Sequence, residues 1–170
     1  MPIGTSGELW ARGYFTMLGY FDMPEATSNT LTADGWVRTG DLATMAGRGY
    51  CRIVGRLKDM IIRGGENLFP AEIEEVLYRH PAVAEAAVVG LPDEHWGEVV
   101  GAYIRPHDPD APPTIDELRS YLRAHLSPQK TPTKWYAVDS YPLTGSGKIQ
   151  KFAIREAWEK GEHDGHELDR

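Results

Sequence analysis

The sequence predicts an α+β fold, and three observations support this prediction. Residues 1–55 contain short aromatic and alternating runs separated by glycine turns, which is typical of β-strands. Two nearly continuous apolar runs, 83–91 and 98–104, have the length of buried strands. Two helix starts are marked, one by Pro70 and one by the capping box that opens at Thr114. We therefore expect strands first, followed by a mixture of helices and strands.

The first part of the chain is expected to be a β segment without a covering helix. One helical turn is expected at 24–27, and Gly47-Arg48-Gly49 predicts a tight hairpin turn. Because no helix is long enough to cover a sheet, this part is not expected to form a stable core alone. Short strands are expected at 8–11, 14–20, 36–38, 42–46 and 50–54.

The second part of the chain alternates between helices and strands. Pro70 opens a helix to about residue 79, with Ile73, Val76 and Leu77 facing inward and Glu72, Glu74 and Glu75 facing outward. Further elements are a helix at 114–126, a third strand at 135–138 and a helix at 151–160. The polar residues 161–170 are expected to be a frayed, flexible tail.

Composition restricts the function. The 170 residues carry a net charge of −7, which argues against a general nucleic-acid-binding protein. No apolar run reaches transmembrane length, and the first residues do not form a signal peptide. The single cysteine, Cys51, has no internal disulfide partner, so a reducing cytoplasm is the expected compartment. We expect Cys51 to be a small core residue within a strand.

The stretch from Gly55 to Glu72 links the two parts. Charged residues are followed by the apolar run 60–62, which is expected to be a short strand, then by Gly64-Gly65, and then by the helix start at Pro70. This order predicts a joint between two bodies. On local grounds, a plain tight turn before a helix explains the glycine pair equally well.

Four strings of the sequence together resemble the AMP-forming acyl-CoA synthetases of the adenylate-forming superfamily. They occur in the order that is typical of that family, and they cover nearly the whole chain except the last ten residues. The strings are GELWARGYFTMLGYFDMPEAT (7–27), DGWVRTGDLATMAGRGYCRIVGR (34–56), GRLKDMIIRGGENLFPAE (55–72) and PLTGSGKIQK (142–151).

The resemblance implies a domain organisation. Residues 1–56 would be the β-rich end of the large adenylation domain, and 57–160 a small C-terminal lid domain with a three-stranded sheet and flanking helices. Residues 161–170 would be the flexible tail. No phosphate loop, magnesium-binding glutamate segment or acyl pocket of the family is found in the sequence. The chain alone is therefore expected to be inactive, and the N-terminal adenylation domain is its expected partner.

The resemblance also assigns roles to residues near the joint. It places Asp41 on the ribose of ATP or AMP, and Arg56 on the ribose or the phosphates. Two plainer alternatives are possible. Asp41 could accept hydrogen bonds from backbone N–H groups of a turn, and Arg56 could form a surface ion pair with Asp59 or Glu66. Lys58 would be the hinge about which the lid turns.

The remaining site residues are in the lid. Gly64 and Gly65 would border the tunnel for the pantetheine of coenzyme A, on an extended segment. Lys148 would be the catalytic residue, contacting the substrate carboxylate and the α-phosphate. Its loop is not a Walker loop, because Ile149 follows Lys148. The plainer alternative is an exposed loop lysine.

The implied reaction joins a carboxylic acid, expected to be a fatty acid, to coenzyme A through an acyl-adenylate made from ATP. ATP would carry Mg²⁺, whose site is expected outside this sequence; the six histidines show no metal-ligand spacing. Two alternatives remain open. One is another adenylating enzyme, either an aryl-acid ligase or an adenylation domain that loads a carrier protein. The other is a lid fragment that acts only as a binding module.

Overall fold

The computed structural model describes residues 2–169, and the chain divides into two compact units between Lys58 and Asp59. The first unit is a three-stranded antiparallel sheet in the order β1-β2-β3, together with one short helix. Leu42 and Ala43 are the only buried residues among residues 2–58, so this unit has a very small core. Its elements are β1 (Gly7–Ala11), α1 (Pro24–Thr30), β2 (Val37–Met45) and β3 (Cys51–Arg56).

Two expectations for the first unit are wrong. The strand expected at 14–20 is absent, and Tyr14 and Leu18 are fully exposed, at 102% and 100%. Threonine hydroxyls accept hydrogen bonds from backbone N–H groups that a neighbouring strand would otherwise bind. One example is the 2.9 Å hydrogen bond from the Tyr20 N–H to Thr27 Oγ1. Cys51 is in a strand as expected, but it is exposed and is therefore not the core residue that was expected.

The predicted hairpin at Gly47-Arg48-Gly49 is confirmed. The Ala46 N–H donates to the Tyr50 carbonyl and the Gly49 N–H donates to the Ala46 carbonyl, both at 2.9 Å. Gly49 has a φ of 81°, which favours glycine at that position. The turn thereby sets the antiparallel pairing of β2 with β3.

The second unit contains a mixed six-stranded sheet in the order β5-β4-β7-β8-β9, and the sixth strand, β6, also pairs with β7. β6 and β7 form a long antiparallel pair, and β8 runs parallel to β7. The α+β class is confirmed, and the three predicted strands are β6, β7 and β8. The strands are β4 (Ile61–Arg63), β5 (Glu66–Leu68), β6 (Val83–Asp93), β7 (Gly97–Pro106), β8 (Lys134–Ala137) and β9 (His166–Glu167).

The sheet therefore has three more strands than expected. β4, β5 and β9 contain only two or three residues each. Such short segments show no readable alternation of apolar and polar residues.

Helices cover both faces of this sheet. α2 (Pro70–Leu77) and α3 (Ile115–Arg123) pack on one face, and α4 (Lys151–Lys160) packs on the other. Alternation along the strands separates the faces, since Val88 faces α2 and α3 whereas Val89 faces α4. The capping box is confirmed, because Thr114 Oγ1 accepts a 3.2 Å hydrogen bond from the Glu117 N–H.

The segment after α4 is not the frayed tail that its polarity suggests. His166–Glu167 pairs with β8 as an edge strand, and Leu168 is 6% exposed within the core of the α2 and α3 face. The Asp169 carbonyl accepts a 2.8 Å hydrogen bond from the Ile115 N–H at the start of α3. One apolar residue among polar neighbours gives no periodic signal, which explains the error. Residue 170 lies outside the described residues.

We expect this terminal segment to stabilise the second unit. Deleting residues 161–170 from a fragment 59–170 should lower its free energy of unfolding by about 2–3 kcal/mol, because the burial of Leu168 and an edge strand are lost. Urea denaturation followed by circular dichroism measures the difference. Leu168→Ala in the longer fragment should reproduce most of the loss. Equal stability of the two fragments would show that the segment does not contribute.

Candidate functional site

The first group of candidate residues is a cross-strand ion pair in the first unit. Asp41 in β2 and Arg56 in β3 are directly opposite, and Arg56 Nε donates to Asp41 Oδ1 at 3.0 Å. Within the first unit, Arg56 therefore pairs with Asp41. Within residues 2–169, the Nη atoms of Arg56 have no hydrogen-bond partner.

The backbone around Asp41 is irregular and fixed by side chains. Separate strands were expected at 36–38 and 42–46, with Thr39-Gly40-Asp41 between them, but the three residues lie inside the single strand β2. Gly40 has a φ of 72°, and its N–H donates to Glu8 Oε1 at 3.1 Å. The Asp41 N–H donates to Thr39 Oγ1 at 3.1 Å. The arrangement presents a partly exposed carboxylate beside a guanidinium, which suits a hydroxyl-bearing anion.

Lys148 is presented by a short hairpin in the second unit. The Thr144 N–H donates to the Lys148 carbonyl at 2.8 Å, and the Gly147 N–H donates to the Thr144 carbonyl at 2.9 Å. Thr144 Oγ1 accepts from the Lys148 N–H at 3.0 Å, so the loop is closed on itself. The side chain of Lys148 is exposed, and its ammonium has no hydrogen bond or ion pair with any residue in the described range.

A neighbouring lysine has a different role. Lys151 Nζ forms a 2.6 Å ion pair with Glu74, whose side chain is only 14% exposed. The same Glu74 oxygen also accepts from the Val88 N–H at 2.7 Å. Glu74 was expected on the outer face of α2, but its side chain is half-buried and ties α4 and β6 to that helix. Lys151 is therefore a structural lysine, whereas Lys148 is free to contact a ligand.

Gly64 and Gly65 form the two-residue turn of a hairpin between β4 and β5. Their φ angles are 56° and 85°, which only a pair of glycines adopts readily. The expectation of an extended segment at this position is therefore wrong. The alternative of a tight turn describes the backbone. A Cβ on Gly64 would lie 2.8 Å from the Trp96 ring, whereas a Cβ on Gly65 would have no atom within 4 Å. Only Gly65 thus has an open side toward a ligand.

Lys58 lies in the 3₁₀ helix Leu57–Asp59, where the two compact units divide. Its position agrees with the joint that the sequence predicts. The hinge role of Lys58 stays a prediction.

The second unit also contains an arginine-lined pocket that no sequence motif predicts. Arg63, Arg119 and Arg123 line a pocket of about 350 Å³ together with Thr131. The Arg63 guanidinium lies over the Trp96 ring, 4.9 Å from its centroid. Arg63 Nε and Thr131 Oγ1 are buried and have no hydrogen-bond partner among residues 2–169.

The charge of this pocket is only partly balanced. Arg119 pairs with Asp116 at 2.9 Å, and Arg63 Nη1 donates to the Gln129 carbonyl at 3.2 Å. Three guanidinium groups and two unpaired donors suit an anion, above all a phosphate. We call this the arginine pocket. Arg119 and Arg123 resemble an ordinary solvated helix face in sequence, and Arg63 is more than fifty residues earlier, so no local pattern reveals the pocket.

Two classes of site find no support in the described residues. Between residues 2 and 169, no group of three or more His, Cys, Asp or Glu side chains is placed to hold a metal ion. No helix in this range is long and apolar enough to cross a membrane.

Comparison with known proteins identifies the family. Residues 72–148 match the AMP-binding enzyme C-terminal domain. The human medium-chain acyl-CoA ligase ACSF2, a mitochondrial protein, is 48% identical over 158 residues, which are 93% of this chain and 26% of the relative. YngI of Bacillus subtilis, provisionally named an acyl-CoA synthetase, is 50% identical over 90% of this chain and 28% of its own length. The chain thus spans about a quarter of the length of these relatives.

Solved structures agree with this placement. The o-succinylbenzoate CoA synthetase MenE of Bacillus subtilis, in complex with its acyl-adenylate, matches all of this chain and 33% of its own, with a TM-score of 0.88 and 34% identity. The amide bond synthetase McbA of Marinactinospora thermotolerans matches 93% of this chain and 32% of its own, with a TM-score of 0.83 and 39% identity. The predicted family is confirmed: the chain belongs to the adenylate-forming enzymes, in the part that contains the AMP-binding enzyme C-terminal domain.

Proposed function

We propose that this chain is the C-terminal part of an ATP-dependent acyl-CoA synthetase. The enzyme would activate a carboxylic acid, most simply a fatty acid, as an acyl-adenylate and transfer the acyl group to coenzyme A. The observation that carries the proposal is the Lys148 ammonium, which is exposed and unpaired within residues 2–169 on a closed hairpin loop. The relatives named as acyl-CoA ligases support the reaction class, and the one named as a medium-chain ligase supports a fatty acid.

In the first half-reaction, the carboxylate of the acid attacks the α-phosphate of ATP and pyrophosphate leaves. Negative charge then gathers on the oxygens of the α-phosphate. Lys148 would place an ammonium there, with a short loop that needs little rearrangement. Asp41 would accept from the ribose hydroxyls, held in position by Arg56. Mg²⁺ would be held by residues outside this sequence.

In the second half-reaction, the thiol of coenzyme A attacks the acyl-adenylate and AMP leaves. We propose that the arginine pocket holds phosphates of coenzyme A, because three guanidinium groups line it. Arg63 directly precedes Gly64, so the pocket adjoins the turn whose open side at Gly65 would border the pantetheine. Arg119 and Arg123 belong to α3, which packs on the face of the sheet opposite to α4.

The expected protein partner is the large adenylation domain. Aromatic and aliphatic side chains of the loop 13–23 are exposed, and an exposed apolar patch of this kind is typical of an interface. They would pack against that domain. The exposed residues of the patch are Tyr14, Phe15, Leu18, Tyr20, Phe21 and Met23.

One alternative reaction has support of its own. McbA is named as an amide bond synthetase, so transfer of the acyl group to an amine is an alternative to transfer to coenzyme A. The arginine pocket favours coenzyme A, because an uncharged amine acceptor does not require three guanidinium groups. The cytoplasmic location stays a prediction, since ACSF2 is named as mitochondrial.

A chimera tests the proposal. In this chimera the chain replaces the homologous C-terminal region of human ACSF2, to which it is 48% identical. We expect the chimera to form acyl-adenylates and acyl-CoA from medium-chain acids, and the 170-residue chain alone to form neither. The two steps are measured separately, by ATP–pyrophosphate exchange and by thioester formation from a synthetic acyl-adenylate. A folded chimera without adenylation activity would contradict a catalytic role and favour a binding module.

Lys58→Pro in the chimera should separate the two half-reactions. Proline fixes φ near −65° and removes an N–H, so a joint that has to change its torsion angles is locked. We expect adenylation to be kept and thioester formation to fall by about tenfold or more, equivalent to about 1.4 kcal/mol. Lys58→Ala is the control, because it removes the side chain and leaves the backbone free. An equal loss in both steps, or none, would contradict the hinge assignment.

A further inference from the structure

A second cavity lies on the α4 side of the sheet, away from the arginine pocket. Its volume is about 370 Å³, within the range of small-molecule sites. Ala153, Ile154 and Ala157 of α4 form one wall, and Val138 and Pro142 form another. The cavity therefore has predominantly apolar walls. The residues assigned to adenylate and coenzyme A above do not line it.

The segment that follows α4 closes one side of this cavity. His163 and Gly165 line it, and the ring of His163 stands edge-on to Tyr136, with 4.7 Å between the ring centroids. A Cβ on Gly165 would lie 2.8 Å from the Cβ of Tyr136. The cavity thus depends on a terminal segment that is held firmly against the sheet.

Two polar atoms beside the cavity are unsatisfied. The Tyr103 hydroxyl and His163 Nδ1 are buried, and neither has a hydrogen-bond partner among residues 2–169. Tyr103 is only 2% exposed, and burial raises its pKa well above the ordinary value, so it is a neutral phenol that can donate or accept. An unsatisfied buried polar group costs about 1–3 kcal/mol. Both residues line the cavity, with 6.4 Å between their ring centroids, so one occupant can contact both.

The charged residues around the cavity determine the charge of the ligand that can bind there. Glu162 and Asp164 line it, whereas no lysine or arginine of the described chain does. A carboxylate or phosphate would therefore be repelled, which excludes fatty acids, nucleotides and coenzyme A as good ligands. A protonated amine would be attracted by the two carboxylates, and its N–H groups can donate to unsatisfied acceptors.

We propose that this cavity binds a small, mostly apolar amine. Its apolar part lies against α4, and its ammonium group lies on the side of Tyr103, His163 and the two carboxylates. The site is independent of the adenylating function proposed above, because all the residues that line it belong to the second unit. Its occupant would bridge α4 and the terminal segment.

Titration of the 170-residue chain with two probes of opposite charge tests this proposal. Benzylamine and benzoate share the same ring, and ¹H–¹⁵N NMR spectra report which amides respond to each. We expect benzylamine to shift the amides of Ala157 and Gly165 in a saturable way, and benzoate to bind at least about tenfold more weakly. If benzoate binds as tightly as benzylamine, or if benzylamine gives no saturable shift at these amides, the proposal is overturned.

Two variants locate the binding. Ala157→Leu fills the cavity and should abolish saturable benzylamine binding, whereas Glu156→Ala, at an exposed neighbouring position that does not line the cavity, should not change it. Asp164→Asn should weaken benzylamine binding about two- to fivefold, as expected for an exposed ion pair. This second variant decides the case if Ala157→Leu does not fold. Unchanged affinity in folded Ala157→Leu, or in Asp164→Asn, would overturn the proposal.

Discussion

Replacing Lys148 by alanine in the chimera should slow acyl-adenylate formation about 100- to 1,000-fold, equivalent to about 3–4 kcal/mol of transition-state stabilisation. The reason is that the ammonium is unpaired within residues 2–169, and its loop is already closed by the hydrogen bonds between Thr144 and the residues Gly147 and Lys148. A charge that is held ready in this way stabilises the transition state without reorganisation. Thioester formation from a synthetic acyl-adenylate should remain mostly intact, because no charge gathers on the α-phosphate before the thiol attacks.

Lys151→Ala is the matched control for this prediction. Lys151 is only three residues away and carries the same charge, but its ammonium is paired with Glu74 at 2.6 Å. Its loss should lower the midpoint of thermal unfolding, because the largely buried Glu74 loses its ion-pair partner, and should leave the adenylation rate within about tenfold. If both lysine variants slow both half-reactions equally, Lys148 holds the structure rather than the transition state.

The contrast between these two lysines shows what the sequence could predict. The motif PLTGSGKIQK contains both, and the resemblance singled out Lys148. Only the structure shows that the Lys151 ammonium forms an ion pair, because its partner Glu74 belongs to a helix nearly eighty residues earlier in the chain. Pairing over such a distance depends on how α2 and α4 pack on the sheet, which no local pattern contains.

The elements of the second unit were predictable where their signal was long or specific. β6 and β7 contain the nearly continuous apolar runs that predict them. Thr114 caps α3 through its side chain, and its three-residue spacing from Glu117 identifies it as the cap. The hairpin of β4 and β5 and the edge strand β9 were missed, because two or three residues give no period. The same limit explains the error at Gly64 and Gly65, where positive φ at both residues produces a turn rather than an extended wall.

The second large effect is expected at the arginine pocket, where substitutions should raise the KM for coenzyme A. Arg123→Ala in the chimera should raise the KM for coenzyme A about 10- to 100-fold, because a hydrogen bond to a charged group contributes about 1.5–3 kcal/mol. Arg63→Ala should act in the same direction, since Arg63 Nε is buried without a partner in the described chain. Adenylate formation, measured by pyrophosphate exchange, should not change in either variant, because coenzyme A takes no part in that step.

Pantetheine as the acceptor separates a phosphate contact from a general defect. It carries the same thiol arm but no phosphate, so Arg123→Ala and the unsubstituted chimera should use it equally well. Arg79→Ala is the matched control, because Arg79 is an exposed arginine just after α2 that pairs with Glu75 at 2.6 Å and does not line the pocket. If Arg123→Ala impairs pantetheine as strongly as coenzyme A, the guanidinium supports the fold of the lid. If Arg79→Ala raises the KM as much as Arg123→Ala, the effect reflects the overall surface charge, and the pocket is not the phosphate site.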